Sequence, residues 1–315
     1  MNDPAPAFSS LPELTTDDYM VSALALNGQV RAIACRTTHL CQEAQDIHQM
    51  SPTAAVALGR LMTGTLLLAE LSLKNETDSI TTIVRGNGPL QGMTVVGTGH
   101  QTVRGYCNQP VVETLHKRPG KLDIGQAVGE GTLTVIKDLG LREPYMGKVE
   151  LVSGEIAEDI TYYLAASEQT PSAVGLGVLV DANGISHAGG FMVQMLPDAS
   201  EETIQYLETR LSEFPEVTYW MQEGFNPDQI LDLLFGDPQI RYLSHKPLAY
   251  ACTCSRERME RNLIALGARE LAELAQDPEG INLECHFCSK NYPFSQQQLQ
   301  DLLTAIIKPR TAEAD

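Results

Sequence analysis

The longest regular apolar pattern in the chain runs over residues 54–73, AAVALGRLMTGTLLLAELSL, where hydrophobic side chains recur at helical spacing. Ser51 followed by Pro52 is the usual order of an N-cap and a first helical residue. Arg60 and Glu70 interrupt the stretch, which favours a helix buried in a protein core over a membrane span. The sequence therefore predicts a long core helix and no membrane partner.

Strand patterns surround this helix. Residues 79–107, SITTIVRGNGPLQGMTVVGTGHQTVRGYC, contain β-rich runs separated by glycine turns, which predicts an antiparallel meander. Further strands are predicted over 132–139, 147–152 and 174–180, with a helix over 155–167. Residues 1–196 are therefore interpreted as an α+β core domain with a substantial antiparallel sheet packed with helices.

Helical patterns dominate the chain after residue 197. Asp198 and Glu201 form a predicted capping pair for a first helix, whose apolar face comprises Ile204, Leu207, Leu211 and Phe214. A second helix is predicted to begin at Asn226-Pro227 and to end at Gly236. Residues 197–246 are interpreted as a helical linker.

The last part of the chain, residues 247–315, carries four cysteines in two pairs. Helices are predicted over 255–266 and 269–276, between the pairs, and a last helix starts at Ser295 and ends before Pro309. This part is interpreted as a small C-terminal zinc-binding α/β unit that acts as a redox switch.

The composition of the chain limits its possible partners, its cellular location and the role of its cysteines. The 315-residue chain has 40 acidic and 22 basic residues and a formal net charge of -18, which opposes nucleic-acid binding. The first twenty residues lack the basic and apolar regions of a signal peptide, so we expect a cytoplasmic protein. Seven cysteines in such a protein indicate metal or redox chemistry rather than a disulfide framework. No Walker-type GK[ST] motif is present, so ATP use is not predicted.

The spacing of four of these cysteines predicts a zinc centre. Cys252 and Cys254 are separated by 30 residues from Cys285 and Cys288, and two close thiol pairs of this kind fill a tetrahedral shell. Four thiolates leave no open position for a catalytic water, so a hydrolase is not expected. His286 is a fifth candidate ligand, but we expect it to be a surface residue.

The predicted zinc unit has few residues with which to build a core. Ten large apolar residues fall within 252–293, namely Met259, Leu263, Ile264, Leu266, Leu271, Leu274, Ile281, Leu283, Phe287 and Tyr292. Units this small usually depend on a metal for their folding. Disulfides within each cysteine pair would close only tiny loops and let the unit unfold, whereas crossed disulfides would keep it tied together.

Two other functions compete with a metal-dependent switch. Cys285-x-x-Cys288 is compatible with a thiol-disulfide oxidoreductase, although the βαβ context of such enzymes is missing. A zinc ribbon that docks on nucleic acid is disfavoured by the acidic balance of the segment. The remaining Cys35, Cys41 and Cys107 are interpreted as small buried apolar residues rather than as a second metal site.

The chain resembles the redox-regulated thirty-three-kilodalton heat-shock chaperone family of bacteria, whose C-terminal signature is CxC, a spacer of similar length, and CxxC. The segments that carry the resemblance are GRLMTG (59–64), VRGYC (103–107), SEQTPSAVGLGVLV (167–180), AGGFMVQMLP (188–197), CTCSRERMERNLIALG (252–267) and ECHFCSKNYPFS (284–295). They cover nearly the whole chain in the family's order.

This resemblance implies a stress-response chaperone and not an enzyme. It implies a holdase that works without ATP, is inactive while reduced and zinc-bound, and acts after oxidation by peroxide or hypochlorite. It also implies redox disulfides Cys252-Cys254 and Cys285-Cys288, loss of zinc, and unfolding of the C-terminal unit and the linker. Apolar surface would then capture unfolding client proteins, and the active form would be a homodimer joined through the N-terminal core.

Overall fold

The computed structural model describes residues 18–118 and 120–307. The chain divides between Tyr250 and Ala251 into two compact units. The first seventeen residues, which include most of the stretch examined for a signal peptide, and Pro309 lie outside the described residues. The two units are described separately below.

Five strands of the larger unit form an antiparallel sheet. They are β1 (Tyr19–Ala25), β2 (Val30–Arg36), β10 (Ser172–Asp181), β11 (Gly184–Met195) and β12 (Arg241–Pro247). Their order in the sheet is β10-β11-β2-β1-β12. The first and last of these strands in the sequence are neighbours in the sheet, with Tyr19 opposite Pro247.

A second sheet contains the predicted meander. Its strands are β3 (Ser79–Gly86), β4 (Met93–Thr98), β5 (Thr102–Cys107), β8 (Gly131–Asp138), β9 (Tyr145–Glu150) and β13 (Ala249–Tyr250). The order is β13-β5-β4-β3-β8-β9, in which the short β13 pairs parallel to β5 and the other pairs are antiparallel. A small hairpin of β6 (His116–Arg118) and β7 (Lys121–Leu122) lies beyond β5 in the sequence.

Four helices complete this core: α1 (Thr38–His48), α2 (Pro52–Ser72), α3 (Ile124–Val128) and α4 (Ala157–Ala166). Helix α2 packs against strands of both sheets. Its length and composition would suffice to cross a membrane, but 83% of its most apolar window is buried inside the protein. The predicted core helix and the α+β class with antiparallel sheets are confirmed.

Three helices cover the other face of the five-stranded sheet: α5 (Glu201–Glu213), α6 (Val217–Gln222) and α7 (Pro227–Phe235). The sheet presents small side chains there, including Ala23, Ala32 and Ala34. A Cβ at Gly189 would lie 2.1 Å from Cε of Met221 and 2.4 Å from the backbone oxygen of Cys35, so a larger residue there would displace the Met221 side chain and strain the pairing of β11 with β2. The helices therefore bury an extensive apolar face of the sheet.

The ends of these helices agree only in part with the sequence analysis. Helix α7 has the predicted Asn226 cap, and Gly236 ends it in the left-handed conformation. The capping pair predicted for α5 is wrong, because Ser200 is the N-cap and its hydroxyl accepts from the Thr203 N–H at 3.3 Å. Helix α6 and strand β12 were not predicted. Strand β12 extends the five-stranded sheet, so residues 197–246 are not helical throughout.

The smaller unit combines helices with a hairpin. Its elements are α8 (Arg256–Leu266), α9 (Ala268–Leu274), β14 (Ile281–Glu284), β15 (Asn291–Phe294) and α10 (Gln296–Ile307). Ser295 caps α10 as predicted, with its hydroxyl accepting from the Gln298 N–H. The core of this unit is small, and it comprises Leu263, Leu271, Ala275, Cys285, Tyr292, Phe294 and Leu299.

Candidate metal centre

The two cysteine pairs meet in the smaller unit. The four Sγ atoms of Cys252, Cys254, Cys285 and Cys288 all lie within 4.8 Å of one another. The sulfurs of Cys252 and Cys285 are 3.7 Å apart, and those of Cys254 and Cys288 are 3.3 Å apart. Four thiolates bound to zinc at about 2.3 Å have sulfurs about 3.8 Å apart. The cluster therefore has the size and the donor set of a tetrahedral thiolate metal site.

The second cysteine pair lies in the turn of the β14–β15 hairpin. The N–H of Cys285 donates to the carbonyl of Lys290 at 3.0 Å and closes the hairpin. The N–H groups of Cys288 and Ser289 both donate to the Cys285 carbonyl, at 3.2 and 2.8 Å. Ser289 adopts a positive φ of 54°, which turns the chain back into β15. This tight turn holds the two thiols of the CxxC motif side by side.

The first pair lies in the segment that leads into α8. The hydroxyl of Ser255 caps the helix by accepting from the Arg258 N–H at 3.3 Å. Arg256, in the first turn, stacks its guanidinium 4.3 Å from the centre of the Phe294 ring and donates to the Pro293 carbonyl at 2.9 Å. Because Phe294 belongs to β15, these contacts hold the CxC segment beside the hairpin.

The thiols differ in acidity. Burial raises the pKa of Cys252 well above its usual range, and burial raises the pKa of Cys288 to about 11. Burial acts in the same direction on Cys254, but hydrogen bonds from the Tyr292 hydroxyl and the neighbouring thiols outweigh it and lower its pKa to about 7. Cys254 is therefore the most acidic of these three thiols. Metal binding at such a site releases protons, since a thiol binds a metal as the thiolate.

Two contacts of the site were not predicted from the sequence. The Tyr292 hydroxyl lies 3.1 Å from Sγ of Cys254, although the sequence analysis counted Tyr292 only as a core residue. Arg256 was not singled out at all. The position of Tyr292, four residues after Cys288 and next to the hairpin turn, was the available signal. Only the register of the hairpin shows that its side chain reaches the other cysteine pair.

Several residues near the motif remain outside the cluster. The His286 side chain is exposed, and the metal-ligating group found in the described residues does not include it. Ile264 and Leu266, which were predicted to belong to the thin core, are 40% and 51% exposed. Helix α8 therefore contributes fewer buried side chains to the core of the smaller unit than the sequence analysis predicted.

The other cysteines belong to the core of the larger unit. Cys35, Cys41 and Cys107 are buried, and burial raises the pKa of Cys41 and of Cys107 to about 12. The thiol of Cys41 donates to the Gly59 carbonyl at 3.8 Å, and His39 is largely exposed and pairs with Asp18. Within residues 18–118 and 120–307, these cysteines form no further metal-ligating group.

Most of the chain is similar to proteins of one family. The sequence profile of the Hsp33 protein family matches residues 18–295. The 33 kDa chaperonin of Ruminiclostridium cellulolyticum is 46% identical over 291 residues, which cover 92% of this chain and 99% of that protein. The 33 kDa chaperonin of Acetivibrio thermocellus is 45% identical over 291 residues, which cover 92% of this chain and 98% of that protein.

A solved structure gives the same result. The crystal structure of the 33 kDa chaperonin from Thermotoga maritima superimposes with a TM-score of 0.84 at 34% sequence identity, covering 92% of this chain and 98% of that one. Sequence and fold thus agree over nearly the full length. The resemblance inferred from the sequence is confirmed, and the chain belongs to the Hsp33 family, whose members are chaperones and not enzymes.

Proposed function

We propose that this protein is a redox-regulated, ATP-independent chaperone whose reduced, zinc-bound form is inactive. The convergence of four thiols within 4.8 Å, from two segments joined by a thin core, carries the proposal. Membership of the Hsp33 family supports the chaperone role, in which unfolding client proteins are bound and kept from aggregating. A cytoplasmic location is part of the proposal, because thiols are kept reduced there until oxidative stress.

The cysteine ligands give the metal a structural role. Zinc bound by Cys252, Cys254, Cys285 and Cys288 would supply a crosslink between the CxC segment and the hairpin, worth about 10–16 kcal/mol in comparable small domains. The core of the smaller unit is too small to replace such a contribution. We therefore expect this unit to fold only while the four thiolates are available as ligands.

Hydrogen peroxide would remove these ligands in two steps for each pair. A cysteine thiolate attacks one peroxide oxygen, the O–O bond breaks, and a sulfenic acid and hydroxide form. The neighbouring thiolate then attacks the sulfenic sulfur, so that the S–S bond forms and hydroxide leaves. Each disulfide thus consumes one peroxide, which is reduced to two waters after protonation. The two disulfides proposed, Cys252-Cys254 and Cys285-Cys288, leave no thiolate to bind zinc.

Loss of the metal would propagate into the preceding segment. Only four residues separate the end of β12 from Cys252. We propose that residues 197–246 act as a linker between a core of residues 1–196 and the switch of residues 247–315. Undocking of α5, α6 and α7 would uncover the apolar sheet face that they now bury, and this face would then bind clients. The active form is proposed to be a homodimer joined through the core.

The test follows zinc, disulfides and chaperone activity in one sample. The reduced protein is expected to contain one zinc and to leave a heat-unfolding client unprotected. Peroxide treatment should produce the two local disulfides in peptide maps and release zinc, and both changes should precede the suppression of client aggregation. A Cys107→Ala variant serves as the control, because Cys107 lies outside the cluster, and it should behave like the wild type. Full protection by the reduced, zinc-loaded protein would contradict the proposal.

The geometry gives little support to a thiol-disulfide oxidoreductase using Cys285 and Cys288. Such enzymes need an accessible thiol of low pKa. Here Cys285 is buried, and burial raises the pKa of Cys288 to about 11. Turnover in an insulin-reduction assay that depends only on these two cysteines would favour the enzyme instead.

A further inference from the structure

Tyr292 connects the two halves of the cysteine cluster. It belongs to β15, opposite Leu283, and therefore to the hairpin that carries Cys285 and Cys288. Its hydroxyl, however, lies 3.1 Å from the sulfur of Cys254, in the other pair. The tyrosine as a whole is only 6% exposed, and its contact with Cys254 is part-buried. A single hydroxyl group thus links segments that are 38 residues apart in the sequence.

The ring is held in place from several directions. The Lys290 ammonium lies 5.5 Å from the centre of the ring, and the side chain packs in the same cluster as Leu263 and Leu271. A ring fixed in this way loses little further freedom when its hydroxyl makes a hydrogen bond. Because the four sulfurs lie within 4.8 Å of one another, the hydroxyl donates where the negative charge of four thiolates would accumulate.

Hydrogen bonds of this type affect a metal-bound thiolate in two ways. Donation to the sulfur stabilises its negative charge and holds the ligand in the orientation that the metal needs. It also withdraws electron density from the lone pairs with which the sulfur attacks an oxidant. Both effects favour the reduced, metal-bound state over the oxidised state.

We propose that Tyr292 is a positioning residue for Cys254, and that its hydroxyl sets how firmly zinc is retained and how much peroxide is needed to release it. This inference rests on the proposed function, since it assigns a regulating group to the same centre. The oxidant is hydrogen peroxide, which reacts as described above, with Cys254 attacking and Cys252 completing the disulfide.

The critical variant is Tyr292→Phe, which removes one oxygen atom and keeps the ring in the core. Loss of an outer-shell partner typically lowers metal affinity about 10- to 100-fold, and we expect a reduction of at least about 10-fold in a chelator competition. Zinc release should begin at a lower peroxide concentration than in the wild type. In the cobalt-substituted protein, the sulfur-to-cobalt charge-transfer band should shift, because the donor properties of one thiolate change.

Two controls separate this role from a structural one. Leu263→Ala creates a cavity in the same core and keeps the hydroxyl, so it should lower stability without moving the charge-transfer band. Tyr163→Phe removes a buried tyrosine hydroxyl from the larger unit, far in the sequence from the cysteine pairs, and should change neither zinc affinity nor the spectrum. Circular dichroism of the zinc-loaded forms verifies that each variant is folded.

The outcomes distinguish the inference from the function on which it rests. If the wild type binds zinc and releases it with peroxide, but Tyr292→Phe matches it in affinity, peroxide response and cobalt spectrum, the inference alone is wrong. If Tyr292→Phe binds zinc more weakly but leaves the charge-transfer band unchanged, the inference is also wrong. That result would show that the variant acts through packing, as Leu263→Ala does. A wild type that binds no zinc or keeps it in peroxide would overturn the proposed function as well.

Discussion

The Sγ atom of Cys254 lies 3.3 Å from the Sγ atom of Cys288, its counterpart in the other motif. All four sulfurs are close enough for crossed and local disulfides to compete, so proximity alone does not select the pairing. The two patterns have opposite consequences. Crossed disulfides would join the two segments covalently, whereas local ones would leave them without a crosslink.

Double variants can separate these consequences. Cys252→Ser with Cys285→Ser leaves only the crossed pair, and Cys285→Ser with Cys288→Ser leaves only the local pair Cys252-Cys254. A crossed disulfide closes a loop of about 35 residues and stabilises by about 4 kcal/mol through chain entropy, while a local one contributes far less. After oxidation, we expect limited proteolysis to cut the smaller unit more slowly in the crossed-pair variant. Equal rates would contradict this expectation.

Packing in the smaller unit should set its stability together with the metal. Leu271 is fully buried, and we expect Leu271→Ala to destabilise the zinc-loaded unit by about 2–5 kcal/mol. The chaperone should then become active at a lower temperature or peroxide concentration, which aggregation assays measure. Leu266→Ala is the matched control, since Leu266 is 51% exposed and its truncation should change stability by less than about 0.5 kcal/mol.

The docking of helix α7 should depend on Asp228. This fully buried carboxylate accepts from the Tyr19 hydroxyl at 2.8 Å and lies 2.5 Å from Nε2 of His245, so it links α7 to β1 and β12. Loss of this acceptor leaves the buried Tyr19 hydroxyl without its partner, which typically costs about 1–3 kcal/mol. We expect Asp228→Ala to lower the unfolding temperature and to release the helices more easily.

Trp220 allows this release to be followed directly. It is the only tryptophan in the chain, and it belongs to α6. The centre of its ring lies 5.6 Å from that of Phe214 and 5.4 Å from that of Phe225. Its fluorescence should shift to the red at a lower denaturant concentration in Asp228→Ala. Glu208→Ala, at an exposed position of α5, is the control, and a shift of the same size in this variant would rule out a specific role for Asp228.

Glu168 should make the larger unit sensitive to acid. Burial acts to raise its pKa, but hydrogen bonds from Lys137, at 2.6 Å, and from the Tyr163 hydroxyl outweigh it and hold the pKa below its ordinary value of 4.5. A depressed carboxyl pKa stabilises the fold above the unfolded-state value, and this stability is lost as the pH falls through the folded-state value. Glu168→Gln should therefore lower the unfolding temperature at pH 7, with a difference that shrinks below about pH 4.5. A difference in unfolding temperature between Glu168→Gln and the wild type that stays constant from pH 7 down to about pH 3.5 would contradict this role of Glu168.

The three core cysteines should resist oxidation. Cys35, Cys41 and Cys107 are buried, and burial raises the pKa of each, so almost none of their thiolate is present at neutral pH. After peroxide treatment and alkylation, mass spectrometry should recover these three as free thiols and the four clustered cysteines as disulfides. Sulfinic acid at Cys41 or Cys107 in the folded protein would show that the core opens during oxidation.

Local sequence determined the parts of this protein that depend on near neighbours in the chain. The Asn226 cap and Gly236 stop of α7, the meander of β3, β4 and β5, and the two cysteine motifs were all predicted. Each is set by residue types only a few positions apart, through turn chemistry, capping hydrogen bonds and side-chain periodicity. The spacing of the cysteines also sufficed to predict which four thiols come together in space.

Only the tertiary structure decided contacts between distant segments. Strand β12 lies in a stretch interpreted as helical, and it is a strand because β1, more than 200 residues earlier, offers it an edge for pairing. The contact between Tyr292 and Cys254 likewise exists because the hairpin register and the Arg256–Phe294 stack bring two separate segments together. Side-chain burial and strand pairing over such separations depend on the whole fold, which no local pattern encodes.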